Sequence, residues 1–414
     1  MDDKGGALEL GRVKMACLIM SLIATQWILA ARLPIVADEA YYASWATNPA
    51  LGYFDHPPMI AWLLAIAPIR AVSIFCFLAG AGFLYRAARV VCGGAAHWTL
   101  LLLVGCPLGL VGGVIATPDG PLFLFWGMVL FGVETRRNWL LCIGVAGCVL
   151  SKASVLIVLP GLWWYLDRRQ RLVVLYGLLL CLPHLIWSLE HDWAPYAYQG
   201  SRTFTGFHTP EFLGGQLAFA GPTLMLLAHA GARTEVATAR RAFIGLVLPS
   251  LGAFLAVSML MRVEANWPLL AWASAAVYGP SFLSSRLKRL CLQFACLTGS
   301  LGIVLAVIAG EIPDRFGPDR ASDAFLSCVE TTGNQTLVGL RYQDVALVRH
   351  AGKDVGYFRP QGRRKSQYDM TEVPQSPCGK VAVAPPAVRS RVCTEDLEQS
   401  RCSAHMGYCA CSEK

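Results

Sequence analysis

Between residues 14 and 309 the chain consists almost entirely of apolar runs joined by short charged links. In hydrocarbon every backbone N–H and C=O must be satisfied within its own segment, so runs of this kind are expected to fold as helices. A spanning helix needs about 20 mostly apolar residues, somewhat fewer where neighbouring helices shield it. About eleven segments qualify, near 14–31, 70–85, 96–115, 121–133, 139–150, 153–166, 172–189, 212–230, 242–260, 267–282 and 288–309. Of the 414 residues 55% are hydrophobic and only 15% are charged, against roughly 25% charge in a soluble domain. That balance excludes a soluble globule, a disordered chain and a fibre.

A net charge of +8 would suit a nucleic-acid partner, but its placement gives another cause. Loops that stay in the cytoplasm keep an excess of Lys and Arg. With the N-terminus inside, every second link is basic: Arg86 and Arg89; Arg136 and Arg137; Arg168, Arg169 and Arg171; Arg233, Arg240 and Arg241; Arg286, Lys288 and Arg289. About five cations fall outside or near outer helix ends, namely Arg32, Arg70, Lys152, Arg202 and Arg262. The alternation stays in phase only if the chain breaks at Ser151-Lys152. Carboxylates divide the other way, with Asp38, Glu39, Asp55, Asp119, Glu190, Asp192, Glu211 and Glu264 outside. Insertion does not demand acidic residues there, so they point to chemistry on the outer face.

The composition changes near Glu311: apolar runs shorten and prolines become frequent. Residues 1–310 are therefore read as the membrane domain and 311–414 as a small α/β or β domain on the extracytoplasmic side. Thr336–Tyr342 and Val345–Arg349 alternate as short strands do. Nine of the 15 cysteines lie in the membrane part, where a small apolar side chain packs well. The other six, Cys328, Cys378, Cys393, Cys402, Cys409 and Cys411, suit disulfides in an oxidising compartment, with a zinc knuckle as the alternative.

Two outer turns carry the chemistry. The first holds Asp38-Glu39-Ala40-Tyr41-Tyr42 and then Gly52-Tyr53-Phe54-Asp55-His56-Pro57-Pro58-Met59. Adjacent carboxylates directly after a membrane helix are costly against lipid, so they should face a wet cavity or the protein interior. Pro57 and Pro58 preclude a regular helix and present Asp55 and His56 on an extended turn. The second turn is Thr117-Pro118-Asp119-Gly120-Pro121.

These motifs, followed by Ser151-Lys152 and the stretch from Trp193 to Arg202, resemble the GT-C glycosyltransferases of the protein O-mannosyltransferase clan. Within that clan they are most similar to the bacterial aminoarabinose and galacturonic acid transferases that act on lipopolysaccharide. The resemblance covers roughly residues 14–270 in order and spacing. It implies an all-α, multi-pass enzyme of the bacterial inner (plasma) membrane, working at the periplasmic face. Such an enzyme takes a sugar from a polyprenyl-phosphate carrier and gives it to a glycan, lipid or protein acceptor. It also implies that Asp38 is the catalytic acid of the first loop and that Asp119 builds the same site. Where relatives carry an acid followed by a basic residue, this chain has Asp55-His56, and imidazole is fully charged only below about pH 6.5.

The residues support that chemistry in their own right. Moving a glycosyl group from phosphate to a hydroxyl needs a base for the hydroxyl and positive charge for the departing phosphate. Asp38 supplies the base, with Glu39 supporting it or facing away. Tyr42 and Asp55 line the substrate site, and Lys152, Arg202, Arg262 or His56 meets the phosphate. Mg or Mn bridging Asp38, Asp55 and Asp119 is the alternative to a purely cationic phosphate site. Two other classes of function stay open: a transporter or flippase of lipid-linked saccharides, and an inactive membrane scaffold.

Overall fold

The computed structural model describes residues 3–200, 206–308, 337–339, 341–359, 365–372 and 381–383. Within them the membrane part is entirely helical. Four helices are long and apolar enough to cross a membrane on their own: Val13–Arg32, Ile69–Val104, Ala237–Ser258 and Ser285–Val307. Counting two bent pairs as spans raises the number to six, fewer than the eleven crossings read from the sequence. Two shorter apolar helices, Asn138–Ser151 and Val155–Tyr165, fall where further crossings were expected.

Proline and glycine cut the runs. Pro107, Pro183, Pro210 and Pro222 each sit at the first turn of a helix, where the absent N–H costs nothing. Between Thr209–Phe219 and Gly221–Gly231 the chain turns by 110°. Gly221 makes that turn at φ +86, a backbone region that side chains rarely adopt, and the Phe294 ring fills the space where a Cβ would stand. The expected break at Lys152 is there: it caps Asn138–Ser151 in an extended conformation, φ −157 and ψ 134.

The basic links gather at one end of the bundle. Arg86 and Arg137 both lie over the Phe131 ring, and Arg241 lies over Tyr165. At that end Glu134 accepts hydrogen bonds from the hydroxyls of Tyr165 and Tyr278, at 2.9 and 2.6 Å. The acidic turns lie elsewhere, on two short helices that follow the first span, Ala37–Ala46 and Met59–Leu64. As expected, Pro57 and Pro58 lie outside both.

The described part of the C-terminal segment is a three-stranded parallel sheet of order β2-β1-β3, with β1 Leu337–Gly339, β2 Gly356–Tyr357 and β3 Val381–Val383. Helix Tyr342–His350 crosses from β1 to β2. The expected strand at Val345–Arg349 is thus a helix. Five consecutive residues, Asp344 to Val348, are buried in it, because it is packed both against the sheet and against helix Ala37–Ala46. That two-sided burial erases the one-faced helical pattern a sequence would show. One apolar cluster joins Ala40, Tyr41, Trp45 and Ile60 of the first loop to Val345, Val348 and Tyr357 of this segment. The six cysteines of the tail lie outside the described residues, and the nine of the membrane part are free thiols.

Candidate active site

Successive residues of a helix point about 100° apart. The neighbouring acids of helix Ala37–Ala46 therefore part company: Asp38 is exposed to a cavity of about 540 Å³, whereas Glu39 is fully buried. The Glu39 carboxylate meets Arg70 Nη1 at 2.9 Å and accepts the Val36 and Ala116 N–H groups at 3.0 and 2.8 Å. Arg70 in turn donates to the carbonyls of Pro34 and Val114. Glu39, expected beside Asp38 as a catalytic candidate, therefore lies outside the cavity lining and ties the end of the first span to the two acidic turns. Breaking a buried pair by removing one partner costs about 3–5 kcal/mol. Glu39→Gln is expected to lower thermal stability on that scale while the folded remainder keeps its activity per molecule, measured by thermal unfolding beside a transfer assay.

The cavity collects side chains from every motif. Tyr42, Asp55 and His56 come from the first loop, Asp119 from the first turn of helix Asp119–Glu134, and Lys152 from the chain break. Lys152 Nζ donates to both oxygens of Asp119, at 2.8 and 2.9 Å, and Asn266 Nδ2 donates to Oδ2 at 2.7 Å. The helix N-terminus adds its own preference for negative charge. Burial, and next the charge of Asp38, then Tyr342, Asp55 and Asp119, hold the Tyr42 hydroxyl well above the usual phenol range, so it stays a donor. The His56 ring stands 6.0 Å from that of Tyr42.

Asp55 is turned inward. It is 2% exposed and accepts the Tyr41 hydroxyl at 2.6 Å, while that hydroxyl accepts the Gln367 N–H at 2.6 Å. The Gln367 side chain accepts the Phe54 N–H at 2.7 Å, and the Tyr342 ring lies 4.5 Å from Tyr41 at the cavity wall. The C-terminal segment therefore braces the motif loop. On the far wall helix Ala194–Gly200 supplies Tyr198 and Gln199. It is entered through Asp192 and Trp193, both at φ +55, a strained conformation for residues with a Cβ.

One sequence expectation changes. Asp38, Asp55 and Asp119 do not form a metal cluster: no group of three or more acidic, His or Cys side chains gathers at metal-holding distance among the described residues. Tyr41 and Lys152 instead occupy the carboxylates of Asp55 and Asp119. Arg262 is exposed, 3.5 Å from Glu264, and lines a neighbouring cavity rather than this one. Arg202 lies outside the described residues. Sequence reasoning also missed Asn266, Tyr41, Tyr342 and Gln367.

The neighbouring cavity measures about 740 Å³ and is mostly apolar, with Leu102, Leu103, Phe123, Phe219 and Trp272 on its walls. The two chambers share Thr117, Asp119, Glu264 and Asn266. A chamber lined by several charged and aromatic hydroxyl side chains and a mostly apolar one thus meet at Asp119.

The same fold is found among solved structures. Solved structures of ArnT from Cupriavidus metallidurans superpose with a TM-score of 0.61 for the apo state, over 88% of this chain and 90% of that one. For the form bound to undecaprenyl phosphate the TM-score is 0.63, over 87% and 89%, and sequence identity is 16% in both. The chain therefore has the ArnT fold. The lipid A galacturonosyltransferase RgtD of Rhizobium johnstonii is 30% identical over 182 residues, 37% of this chain and 38% of the relative. The match thus spans a little over a third of that protein's length. No protein-family model matches the chain. Both comparisons return proteins of the kind that the first-loop motifs resemble.

Proposed function

We propose that this chain is an inner-membrane glycosyltransferase that moves a sugar from a polyprenyl-phosphate carrier to a hydroxyl of a lipopolysaccharide-type glycolipid. The junction of the two chambers at Asp119 carries the reading. A polyprenyl-phosphate sugar is long and apolar at one end, charged in the middle and polar at the other. The chambers offer these environments in the same order. The names of the similar proteins, a lipid A galacturonosyltransferase and an ArnT bound to undecaprenyl phosphate, support the same substrate classes.

In this mechanism the acceptor hydroxyl attacks the anomeric carbon as the carbon–oxygen bond to phosphate breaks, and the bonding pair leaves on the phosphate oxygen. Asp38, open to the cavity, takes the hydroxyl proton. Lys152 gives two N–H bonds to Asp119 and keeps a third for the phosphate, with Tyr42 and His56 as further donors. Arg262, at the neighbouring chamber, and Arg202 meet the lipid phosphate as it arrives or departs. One displacement inverts the anomeric centre. The N-terminus is cytoplasmic, and the site with the C-terminal segment is periplasmic.

The test is transfer by the purified protein in lipid nanodiscs, with lipid A as acceptor and polyprenyl-phosphate hexose, pentose and uronic acid donors, read by mass spectrometry. A mass increment of one sugar is expected with one donor class. Translocation of the donor across vesicles without transfer would instead make the protein a transporter.

A further inference from the structure

A third chamber of about 640 Å³ lies on the other side of helix Ala37–Ala46, between the first loop and the C-terminal segment. It shares no lining residue with either chamber described above. Two flat aromatic pairs contribute to its wall. Trp45 stacks on Tyr53, with ring centroids 4.6 Å apart and planes 8° apart. Trp187 stacks on His191 at 4.1 Å and 15°. The Trp187 ring lies flush on Gly52, since a Cβ there would stand 2.2 Å from a ring carbon.

Polar groups complete the wall. Trp45 is 2% exposed, and its indole N–H is buried with no hydrogen-bond partner among the described residues. An unmade buried hydrogen bond is costly, so one at a chamber wall favours an incoming acceptor. Arg349 is committed to Glu372 and to the Val355 carbonyl, which leaves the chamber near neutral. Trp45 and Tyr53 are each only 2% exposed, so the part-exposed Trp187 is the ring open to the C–H face of a pyranose, with the polar groups of the wall left for its hydroxyls.

We propose that this chamber is a saccharide-binding site that holds uncharged sugar residues of the acceptor away from the reacting centre. Its being the acceptor's sugar rests on the proposed transfer reaction, but the binding does not. Only helix Ala37–Ala46 separates it from Asp38, so a glycan seated here is held beside the catalytic cavity.

Saturation-transfer NMR on the full-length protein in nanodiscs tests this, with cellobiose as the uncharged probe and trigalacturonate as the acidic one. Cellobiose is expected to bind more tightly than trigalacturonate. Trp187→Ala should weaken it about tenfold, the scale of one lost aromatic contact. Gly52→Ala should do likewise by displacing the ring. Trp45→Phe, which removes the orphan N–H together with part of a buried ring, should weaken binding several-fold at a temperature where the variant is fully folded, whereas a purely structural role would cost stability alone. Asp38→Asn should leave binding unchanged. Absence of cellobiose binding, equal binding in Trp187→Ala and Trp45→Phe, or its loss in Asp38→Asn would each overturn the proposal. Binding without transfer by the wild type would instead leave this site standing and remove the transferase reading.

Discussion

Asparagine at position 38 is expected to cut sugar transfer by about 10²–10⁴-fold, the usual contribution of a positioned general base. Asn keeps the size and hydrogen-bonding oxygen of Asp but cannot take a proton at neutral pH. Asp38 is also the exposed acid of the adjacent pair, whereas Glu39 is buried against Arg70. The folded protein should therefore persist in the membrane at wild-type abundance. The loss should appear in kcat, with the KM for the lipid-linked donor little changed, because the donor's phosphate and chain are met by Lys152 and the apolar chamber. Retained transfer in Asp38→Asn would remove Asp38 from the chemistry and return the base to the other carboxylates of the cavity, Asp119 or Glu264. Equal damage from Asp38→Asn and Glu39→Gln to both stability and activity would instead mean that the pair is structural throughout.

How much of this was legible in the sequence depended on the range of the interaction. The turn at Pro57-Pro58 and the break at Lys152 follow from local backbone rules and from charge parity, and both are present. The convergence of Asp38 and Asp119 on one cavity followed from placing both turns on the same side of the bundle. What escaped was set by partners far away in the chain. Nothing near Asp38-Glu39 says which acid points inward, because the deciding cation is Arg70. Asp55 lines the cavity as expected, but nothing in the sequence signals that Tyr41 holds it or that Gln367 reaches Tyr41 from more than three hundred residues on. Arg262 has the right charge and lines the neighbouring chamber instead. The helix at Tyr342–His350 was mistaken for a strand because burial on two sides leaves no periodicity to read.

The Lys152–Asp119 pair allows the sharper separation of structure from chemistry. Both residues are 8% exposed, and Asn266 completes the carboxylate's bonds. Lys152→Met leaves an ionised carboxylate in a confined site with one amide for company, and Asp119→Asn leaves an ammonium facing a neutral oxygen. Each single variant is expected to lose about 3–5 kcal/mol of stability, the cost of breaking a buried pair from one side. The double variant Asp119→Asn/Lys152→Met carries no buried charge and can keep the amide contact with Asn266, so it should recover most of that loss. Activity should behave differently. The ammonium sits where the two chambers join, and no neutral side chain meets a departing phosphate as it does. The double variant should therefore refold to near wild-type stability and still transfer sugar at least about a hundredfold more slowly, the scale of one lost charge-stabilising donor. Thermal unfolding and single-turnover transfer on the four proteins of this cycle decide the matter. Recovery of both stability and rate in the double variant would make the pair a strut and move the phosphate to His56 and the arginines; recovery of stability alone places Lys152 on the leaving group.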